Sequence, residues 1–388
     1  MNTALVKKVF FEKFGIDPQV VVSSPGRINL IGEHIDYNGG YVLPAAIDKS
    51  ILVAVSARTD DSCRLYSLDK AQDYTTSQLT EGIQKSKLGW PDFILGVADQ
   101  LLQRGYSVKG FDMAITGNIP EGAGVSSSAA FECAVVFALN ELFQFGLSKQ
   151  EMVLIAQKAE NLFVGVNCGV MDQFASMFGK KDHVIKLDCN TLEYEYVPFK
   201  TGNIKVVLLD TKVKHSLASS EYNTRRQECE TGLSLLRKKY PALPTLTAAT
   251  IDMLEECIGD AYPTVFSRCK YVVEEAARIA NGCKDLEKND LAAFGKKMYA
   301  THEGLSKLYA VSCRELDFIV EKCLEFPEVI GARMMGGGFG GCVIALIEEK
   351  TVETVSGSIA RAYQNEFNKE MGMFEVAISD GTTLLEKH

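Results

Sequence analysis

The chain has 388 residues, enough for two domains, and its 46% hydrophobic and 23% charged residues are the mix of a globular protein with a sizeable core. Its 41 Lys and Arg against 50 acidic residues leave a formal charge of -9, which argues against a nucleic-acid partner but not against a small anionic ligand. Nowhere do 18 apolar residues run together, so no membrane-spanning segment is expected. The N-terminal MNTALVKKVFFEKFG lacks the long apolar core of a secretory signal. The 11 cysteines form no CxxC pair, and several sit in apolar runs (Cys133, Cys189, Cys342). They read as buried thiols of a reducing compartment, and a cytoplasmic protein is expected. The 5 histidines show no ligand spacing, which speaks against structural zinc.

In chain order, QVVVSS, SILVAVSA and VKGFDMAI have the β-branched content of strands. From Ser127 to about Phe143 the chain is rich in Ala, Val, Leu and Phe without Gly or Pro, which predicts a helix buried on much of its surface and ended by Gly146. Ser148 and Glu151 have capping-box spacing, so a second helix is expected through MVLIAQKAENLF with a stop at Gly165. A strand at KVVLLD follows a turn-rich connector, and further helices are expected after Ser219, from Ile251, and over EEAARIA, DLAAFGKKMYATHEGLSKLYA and ELDFIVEKCLEF. RMMGGGFGGCVIALI then reads as a glycine loop entering a strand. The expectation is an α+β protein of two compact domains, 1–198 and 199–388.

Three stretches carry chemistry. GAGVSSSAA, at 122–130, puts glycines and three serines at a helix mouth, where free N–H groups and the helix dipole favour an anion. It reads either as a phosphate seat or as a serine-capped helix after a tight turn, and with no lysine it is not a Walker loop. SPGRINLIGEHIDYNGG, at 24–40, gathers Arg27, Glu33, His34 and Asp36, either a hydrogen-bonding pocket or an exposed salt-bridged loop in which His34 braces the turn. Asp172 lies in the apolar GVNCGVMDQFASMFG, where a carboxylate is either paired with a cation or chemically employed. Glu160, in the helix before it, reads most simply as a solvated helix-face residue.

Taken together, these stretches resemble the signature motifs of the GHMP small-molecule kinases. SPGRINLIGEHIDYNGG is similar to the signature of the galactose-phosphorylating branch, and the likeness continues through NCGVMDQ, HSLASSEYNTRR at 215–226, SCRELD at 312–317 and RMMGGGFGGCVIAL at 333–346. It spans essentially the whole chain, with the motifs in family order. The resemblance implies a two-domain fold with the active site in the cleft between the domains. It also implies transfer of the γ-phosphoryl group of ATP to the anomeric hydroxyl of α-D-galactose.

Under that resemblance Asp172 matches the aspartate that takes the hydroxyl proton. Arg27 matches the arginine that keeps it ionised and steadies the moving phosphoryl group, a combination that electrostatics supports. Glu33, His34, Asp36, the Gly169 backbone and Tyr222 match the residues that grip the sugar hydroxyls. Gly122, Gly124, Val125, Ser126, Ser127, Ser128 and Ala129 match the triphosphate loop, with Ser128 and Glu160 toward Mg²⁺. The implied partners are galactose and ATP, the expected state a monomer with a homodimer as the alternative. RMMGGGFGG is expected to close over the nucleotide side, and Met335 departs from the family's usual threonine. Two rivals stay open. N-acetylgalactosamine kinases share GEHIDY, and Ile35 is not the commonest choice of the galactose branch, whereas Asn38-Gly39-Gly40 is similar to its bacterial members. A non-enzymatic sugar and ATP sensor is disfavoured, because the serine loop is complete through Ala129 and Ala130 and both Arg27 and Asp172 stand.

Overall fold

A computed structural model describes residues 3–70, 74–79, 82–120, 122–213 and 218–388. The elements of the first half are α1 (Thr3–Phe14), β1 (Val20–Asn29), β2 (Tyr41–Val42), β3 (Pro44–Ala57), β4 (Ser62–Ser67), β5 (Tyr74–Gln78), α2 (Asp92–Gln103), β6 (Phe111–Gly117), α3 (Ser127–Phe143), α4 (Lys149–Lys158), α5 (Met171–Phe178), β7 (His183–Asp188) and β8 (Tyr194–Pro198). Those of the second half are β9 (Ile204–Asp210), α6 (Ala218–Lys239), α7 (Ile251–Cys257), α8 (Pro263–Glu287), α9 (Leu291–Glu303), α10 (Arg314–Leu324), β10 (Val329–Met334), β11 (Cys342–Glu348), α11 (Val352–Phe367), β12 (Gly372–Val376) and β13 (Thr383–Lys387).

Three sheets organise them, in the strand orders β13-β1-β3-β6-β4-β5, β10-β11-β9-β12 and β2-β7-β8. The last strand returns to the first sheet, where Val20 faces Lys387 across the β1–β13 pair. The C-terminal segment thus helps to build the first domain. Apolar strands buried on both faces (Val53 and Val55 on one side, Leu52 and Ala54 on the other) explain why the large sheet is covered by α3 and α5 on one face and by α1 on the other.

The expected helix over Ser127–Phe143 forms with those ends, but Gln144 in the left-handed conformation, not Gly146, closes it. The Ser148–Glu151 capping box is present with both reciprocal bonds. Beyond Lys158 the helix does not continue as α: residues Ala159–Val164 form a π turn ended by Gly165. The Gly165 amide bonds the Glu160 carbonyl at 2.8 Å, the wider spacing of that helix type. Periodicity carried no sign of this. The helices α1, α2, α5 and α11 were not anticipated either. All 11 cysteines are free; Cys133 and Cys342 are buried, and Cys189 is half-buried.

Candidate active site

Arg27 owes its place to a break in β1. The pairing of β1 with β3 shifts register between Pro25 and Arg27, a bulge at Gly26. A side chain at Gly26 would meet the Val125 carbonyl at 2.7 Å, so only glycine lets the serine loop approach this strand. The loop then closes on Arg27, whose amide donates to Val125 O at 3.1 Å and whose Nη1 donates to Gly124 O at 2.7 Å. The remaining guanidinium nitrogens make a bidentate pair with Asp172, Nε to Oδ1 and Nη2 to Oδ2, both at 2.8 Å. Burial works against the Arg27 charge, but Asp172 and the nearby Glu33 and Asp36 outweigh it and hold its pKa above the ordinary arginine value. Asp172 stands in the first turn of α5, where the helix dipole also favours an anion.

A cavity of about 180 Å³ opens beside this pair, lined by Arg27, Glu33, His34, Asp36, Glu160, Asp172 and Tyr222, with Gly336 and Gly337 of the second half. The sequence motif 24–40 therefore builds a pocket, not an exposed loop. Its NLI segment is core, with Leu30 and Ile31 fully buried. Asp36 comes in over Gly169, where an added Cβ would lie 1.8 Å from Asp36 Oδ2. Burial, reinforced by the charges of Asp172 and Glu33, raises the Asp36 carboxyl to about 7. His34 is lowered to about 4 by burial and stays neutral at pH 7. Both of its ring nitrogens have partners, Nδ1 with the Tyr37 hydroxyl at 2.7 Å and Nε2 with Gly337 O at 3.2 Å. Tyr222, on α6, packs its ring 5.3 Å from that of His34.

The serine loop lies on the other side of Asp172. Ser126 adopts a left-handed conformation and makes no capping bond to α3, so the loop is not a serine-capped helix. Its hydroxyl instead donates to Asp172 Oδ2. Ser127, Ser128 and Gly122 border a second, larger cavity of about 350 Å³, with Trp90, Phe93, Phe131, Ile51, Ile115 and Ile119 as its apolar walls. Val125 and Ala129 are buried beneath the loop. Trp90, Phe93 and Phe131, which line this chamber, raised no signal in the sequence, because scattered aromatics look like core.

Glu160 is 7% exposed, so it is not the solvated helix-face residue expected. The π turn directs it inward, where its Oε2 accepts from Gln173 Nε2 at 2.7 Å. Burial and the charge of Asp172 raise its pKa, against a hydrogen bond from Ser128. The fully buried Glu132 lies against the same Gln173, and its Oε1 has no partner. Asp172, Glu160 and Glu132 thus act on one another's charge, and of the three it is Asp172 that pairs with Arg27.

The second half contributes a residue the sequence did not single out. Arg333, fully buried, donates from Nε to Leu30 O at 2.6 Å and from Nη2 to Glu33 Oε1 at 3.0 Å. Glu33 Oε1 also accepts from Gly336 N at 2.8 Å, and Tyr271 bonds the Glu33 carbonyl at 2.8 Å. The glycine run was expected on the nucleotide side. It touches Gly124 there, but Gly336 and Gly337 also wall the smaller cavity. Met335, 1% exposed, lies in the core and lines neither cavity. Of HSLASSEYNTRR, His215–Leu217 lie outside the described residues.

The chain matches three family models: the galactokinase galactose-binding signature over residues 8–57, the GHMP kinases N-terminal domain over 92–180 and the GHMP kinases C-terminal domain over 284–365. A galactokinase from Clostridium perfringens is 39% identical over 99% of this chain and 100% of its own length. One from Thermotoga petrophila is 42% identical over 93% of this chain and 98% of its own. The solved structure of Lactococcus lactis galactokinase complexed with galactose superposes with a TM-score of 0.92 at 35% identity, covering 98% of this chain and 99% of that one. A mevalonate kinase structure shares the fold at a TM-score of 0.66 and 18% identity, over 93% of this chain and 99% of that one. Family models for both domains and relatives matched along their whole length place this kinase, with its two-domain α/β fold, in the GHMP kinase family, on the galactokinase branch.

Proposed function

We propose that the chain transfers the γ-phosphoryl group of ATP to the C1 hydroxyl of α-D-galactose, giving α-D-galactose 1-phosphate and ADP. The carrying observation is the Arg27–Asp172 pair, set between a pocket of carboxylates and a serine loop that borders a chamber with aromatic and aliphatic walls. Relatives named galactokinase, and a similar structure solved with galactose, support the choice of sugar.

In this reading Glu33 and Asp36 accept hydrogen bonds from sugar hydroxyls, since each carboxylate can serve two neighbours. Asp172 Oδ1 accepts only Arg27 Nε among the described hydrogen bonds and keeps a lone pair for the C1 hydroxyl proton. Arg27 opposes the charge that develops on the phosphoryl group in flight. The apolar chamber takes the base of the nucleotide, and the first-turn amides of α3 take its phosphates. A hydroxyl and a buried carboxylate, Ser128 and Glu160, fit a hard cation completed by phosphate oxygens, and the surplus of buried carboxylate around Glu160 gives it an electrostatic reason to bind there. A Mg²⁺ ion held by Ser128 and Glu160 would neutralise phosphate charge and help to orient the transfer.

The test is ATP-dependent phosphorylation of galactose, N-acetylgalactosamine, glucose, arabinose and mevalonate with Mg²⁺, with Asp172→Asn alongside. Galactose turnover that collapses in the variant supports the reading. Preference for N-acetylgalactosamine overturns the choice of sugar. Binding of galactose and ATP without turnover overturns the enzyme and makes the protein a sensor.

A further inference from the structure

The SCRELD motif lines neither cavity, yet Asp317 is one of the most heavily bonded carboxylates in the molecule. It sits in the first turn of α10 and accepts from Ser312 Oγ at 2.6 Å and Ser306 Oγ at 3.0 Å. His302 Nε2, near the end of α9, lies 3.2 Å from its Oδ1. The other ring nitrogen, Nδ1, accepts the backbone N–H of Met334 at 3.2 Å. A backbone amide can only donate, so Nδ1 carries no proton and the ring N–H points at Asp317.

Met334 is where this matters. It ends β10, the edge strand of the second sheet, opposite Val343 of β11. Met335 N bonds Cys342 O at 2.9 Å, so the alternation of an antiparallel ladder turns the Met334 amide outward, away from β11. His302 is the group that satisfies it. Two residues later Gly336 N holds Glu33, and Gly337 O meets His34 Nε2.

We propose that His302, oriented by Asp317, is a positioning residue for the sugar pocket: it pins the edge of β10 so that Gly336 and Gly337 meet Glu33 and His34 in register. This rests on the reading above for the identity of the sugar, but not for the strut itself. His302→Leu removes both bonds, whereas His302→Gln keeps an acceptor for Met334 and a donor for Asp317. Losing a strut of this kind is worth about tenfold. His302→Leu is expected to raise KM for galactose by about that factor with KM for ATP changed less than about twofold, and His302→Gln to recover most of the loss. Amide exchange over residues 334–341 in sugar-free protein is expected to quicken in His302→Leu and return in His302→Gln. Unchanged exchange, a glutamine variant as impaired as the leucine one, or a parallel rise of both KM values overturns the proposal. Should His302→Leu not fold, Asp317→Asn is judged by the same two readouts. If the wild-type protein turns over another sugar, the choice of galactose falls, while the exchange data and KM for that sugar still decide the strut.

Discussion

The pocket lined by Asp172 and the chamber bordered by Ser127 and Ser128 differ in what walls them. The chamber beyond Ser127 and Ser128 is walled by Trp90, Phe93, Phe131 and isoleucines, with Ser67, Asp69 and Lys70 as its polar lining. The pocket beside Arg27 is half its volume and holds four carboxylates, a buried histidine and a tyrosine. Apolar walls bind a flat group by area and discriminate weakly. A pocket of buried polar groups discriminates strongly, because an ill-fitting ligand leaves them unpaired. In the proposed reading this difference assigns affinity to one side and selectivity to the other, with the Arg27–Asp172 pair as the boundary between them.

The boundary itself gives the largest effect. In the proposed reading Asp172→Asn removes the carboxylate from the reacting hydroxyl, and kcat is expected to fall by roughly 10³-fold or more, with a lowered melting temperature because the buried Arg27 loses its counter-charge. A change confined to KM for ATP would instead assign Asp172 to the nucleotide side. Next comes the selective pocket. In Gly169→Ala the new methyl would lie 1.8 Å from Asp36 Oδ2 and must displace it. KM for galactose should rise by about 30-fold, an overpacking cost of ~2 kcal/mol, with KM for ATP unaltered. The mirror experiment is Phe93→Ala in the apolar chamber, for which steady-state kinetics should show KM for ATP up by about tenfold and KM for galactose unchanged. If both constants move together in either variant, the two cavities do not act separately.

The smallest expected effect is in pH. Burial holds the Asp36 carboxyl at about 7 against 3.8 for a free aspartate. The ionised form accepts hydroxyl hydrogen bonds better, so kcat/KM for galactose should fall a few-fold between pH 7.5 and 6.5, and Asp36→Asn should flatten that limb. The raised value has a stability consequence of opposite sense. Between about 4 and 7 the native state binds this proton and the unfolded chain does not, so Asp36 makes the sugar-free protein less stable as pH rises through that window. Melting curves of wild type and Asp36→Asn across that range should converge at the acid end.

Much of the site was legible. Arg27, Glu33, His34 and Asp36 stood out as ionisable residues among glycines and Asp172 as a carboxylate in an apolar run, whereas Tyr222 and Gly169 came from the family resemblance alone; all but Gly169, which lies under Asp36, line one pocket. Ser127 and Ser128 face the second cavity, whereas Ser126 turns to Asp172, a direction that depends on one left-handed backbone torsion and leaves no mark in composition. Glu160 looked solvated because α-helical periodicity put it on a polar face; the π turn rotates that face inward. Arg333 was passed over because its partners, Leu30 O and Glu33, lie 300 residues away or more.

What the sequence determined by itself was local: strands from β-branched runs, the extent of α3 from its apolar run, the start of α4 from its capping box, and the residue types gathered in the serine loop and the carboxylate pocket. Tertiary structure alone decided which of these came together. Return of β13 to β1, the bulge that admits Val125 at Gly26, the buried Arg333 bridge and the His302–Asp317 strut all join residues far apart in the chain. Such contacts follow from how whole sheets and helices bury their apolar faces against one another, and no short window of sequence contains that information.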